Sequence, residues 1–353
     1  MMQNAKVLQN AISRALFVIP AILSLLSGCT DKQASEHISE TRLLLDTYCT
    51  ITVHGTADPG LLSEAFALCE KYEALFSITV EGSDVWRINH AGGEPVTVNP
   101  QTIEVIKAGL EFGEISDGMF DITIGRLSRI WSFGSSFNDT SSQHDTPSPT
   151  DLPYIPSEAE ITKAVMTVDY RQVHIEGDTV QLLNPDAWID LGAVAKGYIG
   201  DKIADLLIER GVTGALIDLG GDVVAVGNRQ DNSPWRVGIR EPFSDLSSLL
   251  GVIEVSGASI VSSGTYERRF EIDGKNYHHI LDPKTGMPVN TDVISATVLT
   301  EKALIGEGLS TIAVLIGSDK AREVYRRTPG FIGAVFVLEN GDTLMFGDIK
   351  LYD

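Results

Sequence analysis

Four two-residue breaks, each carrying glycine, restrict this chain more than any other feature: Gly177-Asp178, Gly220-Gly221, Asp273-Gly274 and Asn340-Gly341. Each parts two short runs with strand character, and glycine accepts the positive φ that tight reversals need. Val173–Ile175 and Val180–Leu183 form a hairpin around the first break. Ala215–Val226 reads as two strands pinched at the second, where the glycine pair admits a close-lying ligand or marks a plain turn. A third hairpin lies within residues 262–289, and strands at 331–338 and 342–346 close the chain. Thr41–Val53 and Ile294–Leu299 are further expected strands, with two more ahead of residue 262. Helical spacing marks Leu61–Phe76, Thr102–Ile115 and Ala303–Ile316, and Ser157 with Glu160 makes a capping box for another helix. Ser83–Asn89 reads as a loop entering a short element, and residues 117–134 as two acids bracketing a turn before an amphipathic helix. Strands and helices mix without strict βαβ alternation, so the expected class is α+β, mixed sheets with packed helices.

A chain of 353 residues with this apolar content can bury a large core. Its formal net charge of −21, with no basic stripe, excludes a general nucleic-acid binder. An anionic ligand in a locally positive pocket remains compatible with that charge.

The first 29 residues read as an export signal. Lys6 and Arg14 precede an apolar segment, Ala15–Leu26, that is too short to span a bilayer. Leu26-Ser27-Gly28-Cys29 resembles a bacterial lipobox, in which the cysteine is lipidated and becomes the mature N-terminus; the alternative is an ordinary cleaved signal with an incidental cysteine. Residues 1–28 are thus expected as signal peptide and 29–40 as a polar tether. The protein would be lipid-anchored in the bacterial cell envelope and face the periplasm, with Thr30 favouring the outer membrane over the inner. In that oxidising compartment Cys49 and Cys69 could pair. Residues 135–156, rich in Ser, Thr, Asp and Pro, are expected as an exposed excursion.

Three stretches carry candidate chemistry. In residues 187–201 an apolar run, Trp188-Ile189, ends in Asp190, turns at Gly192 and enters a helix bearing Lys196. A helix start after a glycine turn leaves N–H groups and a positive dipole end for anionic oxygen, most often phosphate. A capping Asp and a solvated Lys are the plainer reading. On the helix 303–316, Glu307 and Thr311 share one face beside Ser310, which suits a hard cation such as Mg²⁺. Threonine bonding back to helix carbonyls is the competing explanation. His278-His279, ahead of Leu281-Asp282-Pro283 and Thr285-Gly286, places imidazoles at a strand end, as general base, phosphate donor or surface histidine. Ser262, Ser263 and Thr265 offer hydroxyls without a nucleophile elbow. No P-loop, Cys-x-x-Cys or His-Glu-x-x-His pattern occurs.

In their order along the chain these elements resemble the ApbE family, the FAD:protein FMN transferases, over roughly residues 41–345. The carrying motifs are Asp117-Gly118-Met119-Phe120-Asp121, Asp190-Leu191-Gly192-Ala193-Val194-Ala195-Lys196-Gly197, and the SSGTY, H-x-L-D-P-x-T-G-x-P and G-E-x-L-S-T elements at 262–266, 279–288 and 306–311. The domain is accordingly expected over residues 41–350. The resemblance implies FAD against Leu45, Met119, Phe120, Asp121, Asp190, Lys196 and Leu281. It implies Mg²⁺ held by the Ala193 carbonyl, Glu307 and Thr311 with Ser310 adjacent, and His279 as the catalytic histidine. Three positions depart from the family pattern: Glu307 replaces the usual Asp, Gly220-Gly221-Asp222 replaces Gly-Gly-Asn, and Leu45 replaces Met.

The activity so implied is transfer of FMN from FAD to a threonine hydroxyl of a target protein, with AMP leaving. Lys196 would share the phosphate charge and His279 would accept the proton. The implied target is a subunit of a flavin-carrying redox complex. Two alternatives use the same site: an FAD pyrophosphatase yielding FMN and AMP, and a non-catalytic FAD-binding lipoprotein.

Overall fold

The glycine breaks fold as hairpins in a computed structural model that describes residues 37–353 apart from 57, 132, 134–153 and 246–247. The expected export signal, Cys29 and most of the expected 135–156 excursion lie outside the described residues. In chain order, β1 (His37–Leu44) and β2 (Thr47–His54) are followed by α1 (Gly60–Phe76), α2 (Asp84–His90), β3 (Val96–Thr97) and α3 (Pro100–Ile115). Next come α4 (Gly125–Trp131), α5 (Glu158–Val165), a 3-10 turn at Tyr170–Gln172, β4 (Val173–Glu176), β5 (Thr179–Leu182) and α6 (Ala195–Glu209). Strands β6 (Gly214–Leu219), β7 (Asp222–Gly227), β8 (Trp235–Arg240), β9 (Leu249–Val255), β10 (Ser259–Gly264), β11 (Arg269–Ile272), β12 (Lys275–His278) and β13 (Val293–Thr300) precede the last helices. These are α7 (Ala303–Ile316) and α8 (Ser318–Tyr325), and β14 (Phe331–Leu338) with β15 (Thr343–Gly347) ends the fold.

Eight strands make one antiparallel sheet in the order β1-β2-β6-β7-β10-β13-β14-β15. Its central strands are buried on both faces, which the alternation of their side chains makes plain. Val224, Val226, Val261, Val298, Ala334 and Phe336 point to the main core beneath α1, α3, α6 and α7. Their neighbours Ala225, Ile260, Leu299 and Val335 point the other way, to Trp235, Ile253 and Val255 of the β8–β9 hairpin. A third cluster joins Leu127 and Trp131 of α4, Ile161 of α5, and Phe270 and Tyr277 of the β11–β12 hairpin. The class is α+β.

Two sequence expectations change. Thr41–Val53 is not one strand but parts of two, because Leu45 and Asp46 both adopt left-handed φ, 55° and 56°, and reverse the chain without a glycine. Residues 37–40, expected within the tether, belong instead to β1, which begins at His37 and pairs along its whole length with β2. Cys49 and Cys69 are buried free thiols in mutual contact, joining β2 to α1. The capping box at Ser157 and Glu160 is formed, and Tyr154, at the end of the expected excursion, donates to the same Glu160 carboxylate at 2.7 Å.

Candidate active site

The run expected as a strand before α6 is extended but belongs to no ladder; only Trp188 makes a bridge, to Ile124. A side chain does the pairing instead. Asn89 accepts the Ile189 N–H at 2.7 Å and donates to the Ile189 carbonyl at 2.8 Å, both in the interior. The next amide, Asp190 N, donates to Ile122 O at 2.7 Å, and Gly192 N donates to Asp190 Oδ1 at 2.9 Å. The chain then turns into α6, whose N-cap residue Val194 supplies no side-chain acceptor. An uncapped helix start has orphan N–H groups and a positive end that must find an anion.

That anion is Glu307 of α7. Its Oε2 accepts the Gly197 N–H at 2.7 Å, and its Oε1 lies 2.5 Å from Lys196 Nζ. The helices meet closely here: a Cβ on Gly197 would stand 2.6 Å from the Ala303 carbonyl oxygen, so only glycine fits. Lys196 reaches a second carboxylate, Asp222 Oδ2, at 3.0 Å. Asp222 opens β7 directly after Gly221, whose φ of +98° only glycine adopts freely, and the Gly221 N–H donates to Asp218 Oδ1 at 2.8 Å. Glu307 and Asp222 are 3% and 4% exposed. Burial works against the Lys196 charge, but Asp222 and Glu307 outweigh it and hold the pKa above the ordinary lysine value. The lysine is therefore held between two carboxylates rather than solvated alone at the surface.

The turns of α7 around Glu307 carry hydroxyls. Ser310 donates to the Glu307 carbonyl at 3.1 Å, and Ser263 on β10 lies 2.8 Å from the Ser310 hydroxyl and 3.2 Å from that of Thr311. Ser263 is thus the residue of the SSGTY stretch that meets α7, and only the sheet-to-helix packing reveals it. Ala193 sits half-buried in the turn before α6. The donor set is all oxygen, two carboxylates face one ammonium, and Asp222 Oδ2 is buried without a hydrogen bond. Among the described residues no group of three or more His, Cys, Asp or Glu gathers for a metal. Carboxylate, hydroxyls and a negative excess suit a hard cation such as Mg²⁺ and not a soft one.

The β11–β12 hairpin brings in the histidines. Register pairs Arg269 with His278, and one step beyond it the His279 N–H donates to the Arg268 carbonyl at 3.0 Å. His278 is structural: its Nε2 is 3.1 Å from Val289 O, and burial lowers its pKa to about 4. His279 is half-buried with an unpartnered, buried Nδ1. Burial lowers its pKa to about 3, and the charges of Arg268 and Lys196 act in the same direction. The imidazole is therefore neutral and able to accept a proton, but burial leaves it a weaker base than an ordinary histidine. The exposed Arg268 also faces Asp190, where it opposes the upward push of burial on that carboxyl. Nothing in the sequence around Arg268 singled it out.

The remaining expected contacts divide. The turn at Leu45 abuts the one bearing Asp222: Gly220 N donates to Tyr48 O at 3.2 Å, and Gly220 packs on Thr47. Leu45 itself is half-buried, its N–H donating to Glu73 Oε1 at 3.1 Å. Asp121 is committed internally: Oδ1 accepts the Thr123 N–H at 2.8 Å and its hydroxyl at 2.6 Å, while Oδ2 accepts the Tyr170 N–H at 2.8 Å. Phe120 is buried with its ring 5.5 Å from that of Phe112, whereas Met119 is half-buried and Asp117 exposed. Leu281 is buried in the cluster of Leu127 and Trp131, and its backbone bridges to Pro288.

This geometry has known counterparts. The ApbE family profile matches residues 45–336. A protein of Klebsiella pneumoniae named FAD:protein FMN transferase is 35% identical over 297 residues, covering 83% of this chain and 87% of the relative. A Treponema pallidum protein of the same name is 31% identical over 340 residues, covering 91% and 90%. Among solved structures, the ApbE protein of Thermotoga maritima superposes with a TM-score of 0.76 at 30% identity, covering 90% of this chain and 97% of that one. The flavin transferase ApbE of Vibrio cholerae gives 0.75 at 26%, covering 89% and 97%. A profile match over most of the chain, relatives alike along both lengths and a shared fold place this chain in the ApbE family.

Proposed function

We propose that this chain is an FAD:protein FMN transferase that moves FMN from FAD to a threonine hydroxyl of a target protein and releases AMP. The observation that carries the reading is the meeting of an uncapped helix start, a lysine and two buried carboxylates in one place. Held by Glu307, Thr311 and the Ala193 carbonyl with Ser310 adjacent, Mg²⁺ would supply charge withdrawal from the pyrophosphate. Lys196 and the first N–H groups of α6 add positive potential beside it, which suits a reaction limited by positioning and charge neutralisation. FAD would lie along Leu45, Met119, Phe120, Asp121, Asp190, Lys196 and Leu281, with Phe120 and Asp121 shaping the wall through the backbone they brace.

His279 takes the proton. The threonine oxygen bonds to the FMN phosphorus, the bond to the AMP oxygen breaks, and the hydroxyl proton passes to the imidazole. The lipobox-like sequence ending in Cys29 supports a lipid-anchored enzyme facing the periplasm; its target would be a subunit of a flavin-carrying redox complex. The test is peptide mapping of a candidate target after incubation with the protein, FAD and Mg²⁺. The expected result is flavin phosphate on a threonine, removed by changing that threonine to alanine; flavin attached to no residue of the target would overturn the reading.

A further inference from the structure

The buried charges of the site do not balance. Glu307 uses both oxygens, one on Lys196 Nζ at 2.5 Å and one on the Gly197 N–H at 2.7 Å. Asp222 Oδ2 stands 3.0 Å from the same Nζ, yet it makes no hydrogen bond, and the residue is 4% exposed. Among the described residues, Lys196 is the only cation within ion-pair distance of either carboxylate. With both carboxylates ionised, one ammonium leaves a formal excess of one negative charge in the interior. A buried carboxylate that shares its one cation with a second carboxylate is costly, so the arrangement favours more positive charge than the chain itself provides.

Lysine suits a provisional role. Its ammonium is a compact charge on a flexible four-carbon stem, and the Lys196 side chain, unlike its two partners, is 27% exposed. It can leave Glu307 for the solvent side without unfolding α6. The hydroxyls of Ser263, Ser310 and Thr311 form a connected group one turn along α7, with Ser310 on the backbone carbonyl of Glu307.

We infer that Lys196 is a resident stand-in for a divalent cation, which binds by displacing the ammonium from Glu307 and takes Asp222 as a second carboxylate ligand. The inference rests on the metal-assisted reading for where the ion goes, but no flavin is needed to examine it. Because the ammonium and the ion compete, affinity for the metal alone is held down. A phosphate anion that receives the released ammonium raises that affinity, which couples loading of metal and nucleotide.

The experiment is calorimetric titration of the folded protein with MgCl₂, free of flavin and nucleotide. Lys196→Met removes the competing charge and keeps the apolar stem, so it should bind Mg²⁺ roughly tenfold more tightly than the parent. Asp222→Asn removes the proposed ligand charge at constant size and should bind roughly tenfold more weakly. Thermal melting in EDTA gives the second readout: Lys196→Met should melt below the parent and regain more on adding Mg²⁺. Should Lys196→Met be unfolded without metal, Mg²⁺ must restore its native circular dichroism. Lys196→Met affinity at or below the parent, Asp222→Asn affinity equal to it, or an unfolded variant that Mg²⁺ does not restore would each overturn the inference. Affinities in the expected order without FMN transfer would instead remove the functional reading and leave this one standing.

Discussion

Glu307 Oε2 accepts the Gly197 N–H at 2.7 Å, so a carboxylate from α7 completes the first turn of α6. No residue of α6's own first turn is acidic, and Val194 does not cap it. The contact therefore fixes the helix start, orients Lys196 and joins two helices 110 residues apart in sequence. Glu307→Gln keeps an acceptor of the same shape and loses the charge. It should cost about 1–3 kcal/mol in urea unfolding and abolish Mg²⁺-dependent AMP release. Glu307→Asp falls about one carbon–carbon bond short of Gly197 and should lose the cap as well. Full activity in Glu307→Gln would show that the metal is not held here.

The histidines set the acid behaviour. His279 has its pKa lowered to about 3, chiefly by burial, and His278 to about 4. Both lie below the ordinary value of about 6.5, so as pH falls the unfolded chain takes up these protons before the folded one does. The stability they contribute is fully present above about pH 6.5 and is lost progressively toward their folded values. His279→Ala should weaken that loss in chemical unfolding measured across pH. The kcat/KM for FAD should hold level from about pH 7 to 5, because His279 of the free protein stays neutral there. An acid limb near pH 6.5 that persists in His279→Ala would assign the proton elsewhere.

Asp121 gathers three donors from Thr123 and Tyr170. Asp121→Ala strands the buried Thr123 N–H and the part-buried Tyr170 N–H and should destabilise by about 2–3 kcal/mol, raising the KM for FAD through movement of the wall. Loss of FAD binding with unchanged unfolding would mark Asp121 as a direct ligand contact instead.

Cys29→Ser should abolish lipid labelling in cells and leave the soluble catalytic domain active. Wild-type protein that carries no lipid and fractionates as soluble would contradict the proposed anchor.

The sequence was most informative where a local rule suffices. Gly220-Gly221 and Asn340-Gly341 announce hairpins because the turn needs glycine there, and Ser157 with Glu160 announces a helix start. The Leu45-Asp46 reversal was hidden because neither residue signals left-handed φ. Helix α8 was hidden because its cap comes from afar: the Ser318 N–H and hydroxyl both bond Asp292, the former at 2.9 Å. In the site, spacing showed Glu307 and Thr311 on one face of α7, and a strand-to-helix turn showed Lys196. That Lys196 bridges Glu307 to Asp222 depends on how α6, α7 and β7 pack, which no local pattern carries. The Asn89 side chain in the place of a strand partner was invisible for the same reason.

The most direct measurement counts AMP released against flavin bound covalently to the target, in one reaction containing the protein, FAD, Mg²⁺ and a candidate target. The result expected of a transferase is one AMP for each protein-bound flavin, with no free FMN and no product once Mg²⁺ is chelated. AMP matched by free FMN would mean that water is the nucleophile, and FAD bound but unchanged would mean a carrier; either contradicts transfer to protein.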